Sequence, residues 1–206
     1  MRRITLFFIA LSLIFSGCTA FQIKVDSIRD YSQKKGANYI LLPGLKDIDI
    51  NDLNFKEYSS YVEKALSQKG FRKVLLGDKP DVIIFLAYGI GDPQSETLAY
   101  SVPIYGQTGD GSTYGVVGSQ HYVSNIDMYY RWISIEGISV AEFINDKKIV
   151  PIWKTTITSK GTSGDLRRVF PYLLVAGQDY LGENTGKQIR FTIYESDSRV
   201  KALKSP

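Results

Sequence analysis

Cys18 is the only cysteine in a chain of 206 residues, and its position constrains the fold more than any other residue. It follows Arg2-Arg3, an apolar run from Ile4 to Phe15, and the small pair Ser16-Gly17. A positive start, a short apolar middle and small residues at the cut site are the layout of a secretory signal. The apolar run has 12 residues, well short of the ~20 that a membrane-spanning helix needs. Residues 1–17 are therefore expected to leave as a signal peptide. The remaining 189 residues are enough for one domain with its own core. With a single cysteine no intrachain disulfide can form, so apolar packing must hold the fold even in an oxidising compartment. His121 is the only histidine, which excludes multi-histidine metal sites and leaves little room for a histidine-based triad. Losing Arg2 and Arg3 lowers the formal charge from +4 to +2. So balanced a surface offers no electrostatic case for nucleic acid. No cofactor motif is present.

The stretch Leu13-Ile14-Phe15-Ser16-Gly17-Cys18 resembles the lipobox of bacterial lipoproteins, with Phe15 where Leu is usual. The resemblance implies that the Cys18 thiol receives a diacylglycerol and that Cys18 becomes the new N-terminus. Two or three acyl chains hold a protein stably on a membrane, whereas one is marginal. Thr19, rather than Asp, follows the cysteine. By likeness to Gram-negative sorting, this implies the outer membrane, with the domain in the periplasm.

Residues 18–36 read as the lipidated N-terminus followed by an edge strand or an extended tether, with Ile23, Val25 and Ile28 apolar. A single domain is expected over 37–195. Its first strand, 38–44, is apolar on both faces. The acids at Asp47, Asp49 and Asp52 do not make a calcium loop, because Asp52 stands where Gly is needed and Tyr58 where Glu is needed. The spacing predicts a helix over 55–68, capped by Asn54 with Glu57 completing a capping box and Leu53 stapled to Tyr58. Gly70 should end that helix, with Phe71 folding back on Leu66. Residues 71–75 read as a strand, and Asp81–Tyr88 as a strand buried on both faces at the centre of the sheet.

Residues 92–121 carry Tyr100, Tyr105 and Tyr114 among five glycines and contain no Lys or Arg. This is too long for an ordinary connection in a compact domain. Two readings stand: a mobile insertion or irregular hairpin covering the sheet, or a docking segment. Tyrosines on a Gly/Ser scaffold offer contact area at low entropic cost, so Tyr100, Tyr105 and Tyr114 are the candidate partner-binding residues. Gly109-Asp110-Gly111-Ser112 is no phosphate loop, since neither a Lys nor a helix pattern follows it.

Strand character returns over 122–144, with Gly137 as a bulge or bend. A turn follows at 145–148, then a strand over 149–159 in which Trp153 is core or half-buried cover rather than a carbohydrate platform. Asp165 should cap a second amphipathic helix whose apolar face runs from Leu166 to Leu181, with Pro171 on its solvent side and Gly182 as its stop. A last strand over 187–195 places Ile189, Phe191 and Ile193 inward, and 196–206 reads as a polar tail.

Several of these motifs together resemble a Gram-negative lipoprotein family of the domain-of-unknown-function 4136 type. They are Cys18, Leu66-Ser67-Gln68-Lys69-Gly70-Phe71, Pro80-Asp81-Val82-Ile83-Ile84, Tyr88-Gly89, Trp153 before Ser159, and the closing helix. The resemblance covers most of 36–182; the strand after Gly182 departs from it. It implies a compact domain tethered by lipid and carries no catalytic residues. The expected fold is α/β (α+β): a mixed, mainly antiparallel sheet with two amphipathic helices packed on one face. The expected function is non-enzymatic. A lipid-anchored envelope protein would bind another envelope protein or a cell-wall component. The alternatives are an enzyme using carboxylates such as Asp92 and Glu96, and a purely structural lipoprotein.

Overall fold

The computed structural model describes residues 19–75, 77–107, 114–146 and 149–205, with backbone only at 107, 114–117, 145 and 146. The expected signal peptide and Cys18 lie outside the described residues.

The fold is α+β. Eight strands form a mixed, mostly antiparallel sheet: β1 (Ala20–Arg29), β2 (Asn38–Pro43), β3 (Arg72–Lys73), β4 (Val82–Ile90), β5 (Gln94–Gln107), β6 (Tyr114–Ser139), β7 (Pro151–Gly161) and β8 (Ile189–Tyr194). Their order is β3-β2-β4-β6-β7-β1-β8, with β5 paired to β6 alone. Only β2–β3 and β2–β4 are parallel. The helices are α1 (Leu53–Gln68), α2 (Val140–Asp146), α3 (Leu166–Gly177) and α4 (Ser198–Lys204), with a short 3₁₀ turn at Gln178–Tyr180. No helix among the described residues is long and apolar enough to cross a membrane.

Alternation sets the core. Phe21, Ile23 and Val25 on β1, Ile133 and Ile135 on β6, and Trp153 and Ile157 on β7 all point to one face and are buried. The helices cover that face. α3 lies across the sheet and also touches α1 and α4. The Tyr58 ring of α1 stacks on Phe170 of α3 with centroids 4.2 Å apart and meets Tyr88 edge-on at 4.7 Å.

Several local expectations need correction. β1 is not an edge or tether; it pairs with β7 on one side and β8 on the other. The folded domain therefore begins near residue 20. The sheet centre is β6, and β4 is buried on one face only, its odd residues being half-buried. α1 is capped by Asp52, whose carboxylate accepts from the Phe55 N–H at 2.8 Å. Asn54 lies inside the helix, Leu53 is exposed, and Glu57 binds Tyr61 and Arg167 instead. The far end of α1 matches expectation: Gly70 takes φ 83°, and the Phe71 N–H reaches the Leu66 carbonyl at 3.1 Å.

Residues 140–144 are helical, not extended, and β6 ends in a register shift at Gly137/Ile138. Gly137 is required there because the Trp153 indole occupies the space that a Cβ would take. Pro171 is buried, since α3 is covered by the sheet, α1 and α4 along most of its circumference. The tail is not merely polar. Asp197 caps α4, which buries Val200 and Leu203.

Candidate functional site

The tyrosine-glycine segment forms a regular two-stranded arm. β5 pairs with the first half of β6 from Gln94↔Met128 to Gln107↔Tyr114, with one shift beside Ile104. The second half of β6 belongs to the main sheet, where Tyr129 pairs with Gly161 at the end of β7. The arm therefore begins where β7 stops and touches the sheet only at its root. Its 14-residue strand β5 spans about 45 Å at ~3.3 Å per residue. Every residue from 91 to 105 is exposed, so the arm does not cover the sheet.

The two faces of the arm differ. Leu98, Tyr100, Val102 and Ile104 share one face by strand alternation, and Tyr122 joins them because it pairs with Tyr100. These five side chains are 40–54% exposed. The rings of Tyr100 and Tyr122 stack with centroids 5.4 Å apart and planes at 18°. On the opposite face, cross-strand hydrogen bonds tie small polar groups together. The Ser95 hydroxyl donates to Asp127 at 2.7 Å, Thr97 to Asn125 at 3.1 Å, and Ser101 bonds the His121 Nδ1 at 2.7 Å. That face satisfies itself, whereas the other presents an apolar ridge.

An isolated two-stranded hairpin is only marginally stable in water, and a continuous exposed apolar strip marks an interaction surface. The free outer edge of β5 also presents unpaired backbone groups suited to strand addition. The arrangement can thus offer aromatic and aliphatic contact together with backbone hydrogen bonds.

Of the candidate residues, Tyr100 sits at the middle of the ridge and Tyr105 is exposed beside the register shift. The backbone of Tyr114 pairs with Gln107 near the arm's far end, and its side chain lies outside the description. Leu98, Val102, Ile104 and Tyr122 are ridge residues that the sequence reading does not single out. Their signal is present: large apolar residues alternate with smaller ones from Leu98 to Ile104. Asp92 and Glu96 do not meet in a pocket. Both are exposed at the arm's root, where Glu96 pairs with Lys160 of β7. Among the described residues, no group of His, Cys, Asp and Glu could hold a metal ion.

No family model and no curated protein sequence matches the chain. Solved structures align with it at low identity. A PDZ domain protein from Parabacteroides distasonis aligns with TM-score 0.46 and 15% identity over 90% of this chain, which spans only 41% of that protein. A PelC dodecamer from Paraburkholderia phytofirmans aligns with TM-score 0.42 and 11% identity over 78% of this chain and 98% of that one.

Proposed function

We propose that the chain is a lipid-anchored protein of the outer membrane, held at Cys18, whose periplasmic domain acts without catalysis and binds another envelope component through the β5–β6 arm. One observation carries this reading: the arm exposes a continuous apolar ridge, and none of its described side chains belongs to the domain's own core. A segment that buries nothing in its own fold finds its stabilising contacts elsewhere. The exposure of Asp92 and Glu96, and the ion pair that already engages Glu96, favour the binding reading over the carboxylate enzyme.

The test is photo-crosslinking in intact cells with the probe at Tyr100 and, separately, at Tyr105. A discrete crosslinked species from the ridge position is the expected result. Diffuse or absent crosslinks, with the protein present and membrane-associated, would overturn the arm's role. Membrane fractionation of Cys18→Ala checks the anchor separately: release into the soluble periplasmic fraction is expected, and retention would refute lipidation.

A further inference from the structure

Among the described residues, Arg131 is a buried cation without a carboxylate partner. It lies on the helix-covered face of β6, is 2% exposed, and pairs in register with Ser159 of β7. Its Nη1 donates to the Ser163 carbonyl at 3.2 Å, while its Nε is buried with no acceptor. The Ser159 hydroxyl beside it is likewise buried and unbonded. Burial alone lowers the pKa of Arg131; no neighbouring acid contributes. An uncompensated buried charge is costly, and chains retain one only where something balances it.

The space next to this guanidinium is a cavity of about 180 Å³ between the start of β1 and the loop from β7 into α3. Besides Arg131, its walls include Lys160, Arg168, Thr162, Ser163 and Thr19, and no acidic residue. Arg168 is also held by Glu195, whereas the Lys160 side chain follows Tyr130 onto the opposite face of the sheet and pairs there with Glu96. Gly161 supplies the room, because a Cβ there would strike the Arg131 Nη2.

We propose that Arg131 and Arg168 form a binding site for a phosphate group. A planar guanidinium presents a donor fork that matches phosphate oxygens, and the hydroxyls of Thr162 and Ser163 add donors. The assignment rests on this geometry alone and is independent of the arm. Two sources carry the same chemistry. Thr19 lines the cavity and directly follows Cys18, so a lipid anchor at Cys18 would bring phospholipid headgroups to its mouth. Free phosphate is the other source.

The experiment uses the full-length protein in a nonionic detergent and follows thermal unfolding at constant ionic strength, replacing chloride either with inorganic phosphate or with a short-chain phosphatidylglycerol below its micellar concentration. A ligand well above its Kd should raise Tm by ~3 °C or more. Saturation by the lipid at tenfold lower concentration than phosphate would identify the headgroup as the source; equal concentrations, or a response to phosphate alone, would identify the free ion. Arg131→Met should fold with an unchanged or higher Tm and lose the ligand-dependent shift, because replacing a buried charge with an apolar side chain of similar size removes a desolvation cost. Should that variant fail to fold, the exposed Arg168→Gln is expected to weaken the response roughly tenfold. No shift from either ligand, or a full shift retained in the variant, would overturn the site.

Discussion

Ser27 shows how much one small side chain can organise. It is buried on β1, and its hydroxyl lies 2.8 Å from the Glu183 carbonyl, 2.9 Å from that of Tyr180 and 2.7 Å from the Thr155 hydroxyl. Thr155 in turn donates to the Tyr180 carbonyl at 3.1 Å, and Thr185 binds the Ser27 backbone at both N–H and C=O. One serine thereby joins β1, β7 and the loop after the 3₁₀ turn. Ser27→Ala would leave buried carbonyls short of a donor at a cost of about 1–3 kcal/mol. Chemical denaturation should show that loss as a lower midpoint with an unchanged slope. Nothing in the spacing of the sequence marks this serine, because its partners lie more than 120 positions away. The cap of α1 departs from expectation for a subtler reason. Asp52 and Asn54 are both competent caps by residue type, and the turn through Asp49, whose carbonyl accepts the Asp52 N–H at 3.0 Å, decides between them.

Among the elements, the β5–β6 arm separates stability from binding. Its described residues beyond the root pack on nothing in the domain, so replacing 97–125 with Asn-Gly should leave Tm within ~2 °C of the parent, as for exposed changes that remove no buried contact. The same replacement should abolish co-purification of the partner that the crosslinking identifies with the intact arm. A fall in Tm of many degrees would instead mean that the arm braces the sheet. The arm is legible in part. The absence of Lys and Arg, the tyrosines and the unusual length point to a special segment, and the alternation at 98–104 carries its strand character. The glycines around it obscure that character, since they favour a reading of irregular chain. α1 and α3 are readable from apolar spacing, whereas Pro171 is expected outward because sequence shows a helix's apolar stripe but not how many neighbours surround it. α4 escapes because seven residues give too little periodicity to stand out.

For the whole molecule, the core concentrates tyrosines. Burial, then the neighbouring Glu57, pushes the Tyr58 phenol up to about 12; burial also raises Tyr39 and Tyr88. A folded-state pKa above the unfolded value of 10 means that the neutral phenol is favoured by folding. Its stabilising contribution is complete below pH ~10 and disappears as pH rises through the folded value. Circular dichroism should accordingly show alkaline unfolding over pH ~10–12, with part of the tyrosinate absorbance appearing together with the loss of structure. Tyr58→Phe should move that midpoint upward. The architecture also gathers three features at one end of the sheet: the start of β1 at Ala20, the buried Arg131 and the root of the arm at Gln94↔Met128. Under the proposed anchoring, that end faces the membrane.

From sequence alone came the α+β class, the two main amphipathic helices, the helix stop at Gly70 and the bulge at Gly137, because each follows from local spacing or local backbone need. The tertiary structure decided the rest. β1 became an interior strand, since β8 returns from the far end of the chain to cover it. The tyrosine segment became a free arm, since β6 is long enough to leave the sheet. Arg131 became a buried cation, since β7 and its following loop close over it. The pairing of β1 spans more than a hundred residues and leaves no trace in any local pattern, while the arm and Arg131 depend on how far one strand outruns its neighbour and on which face the helices cover.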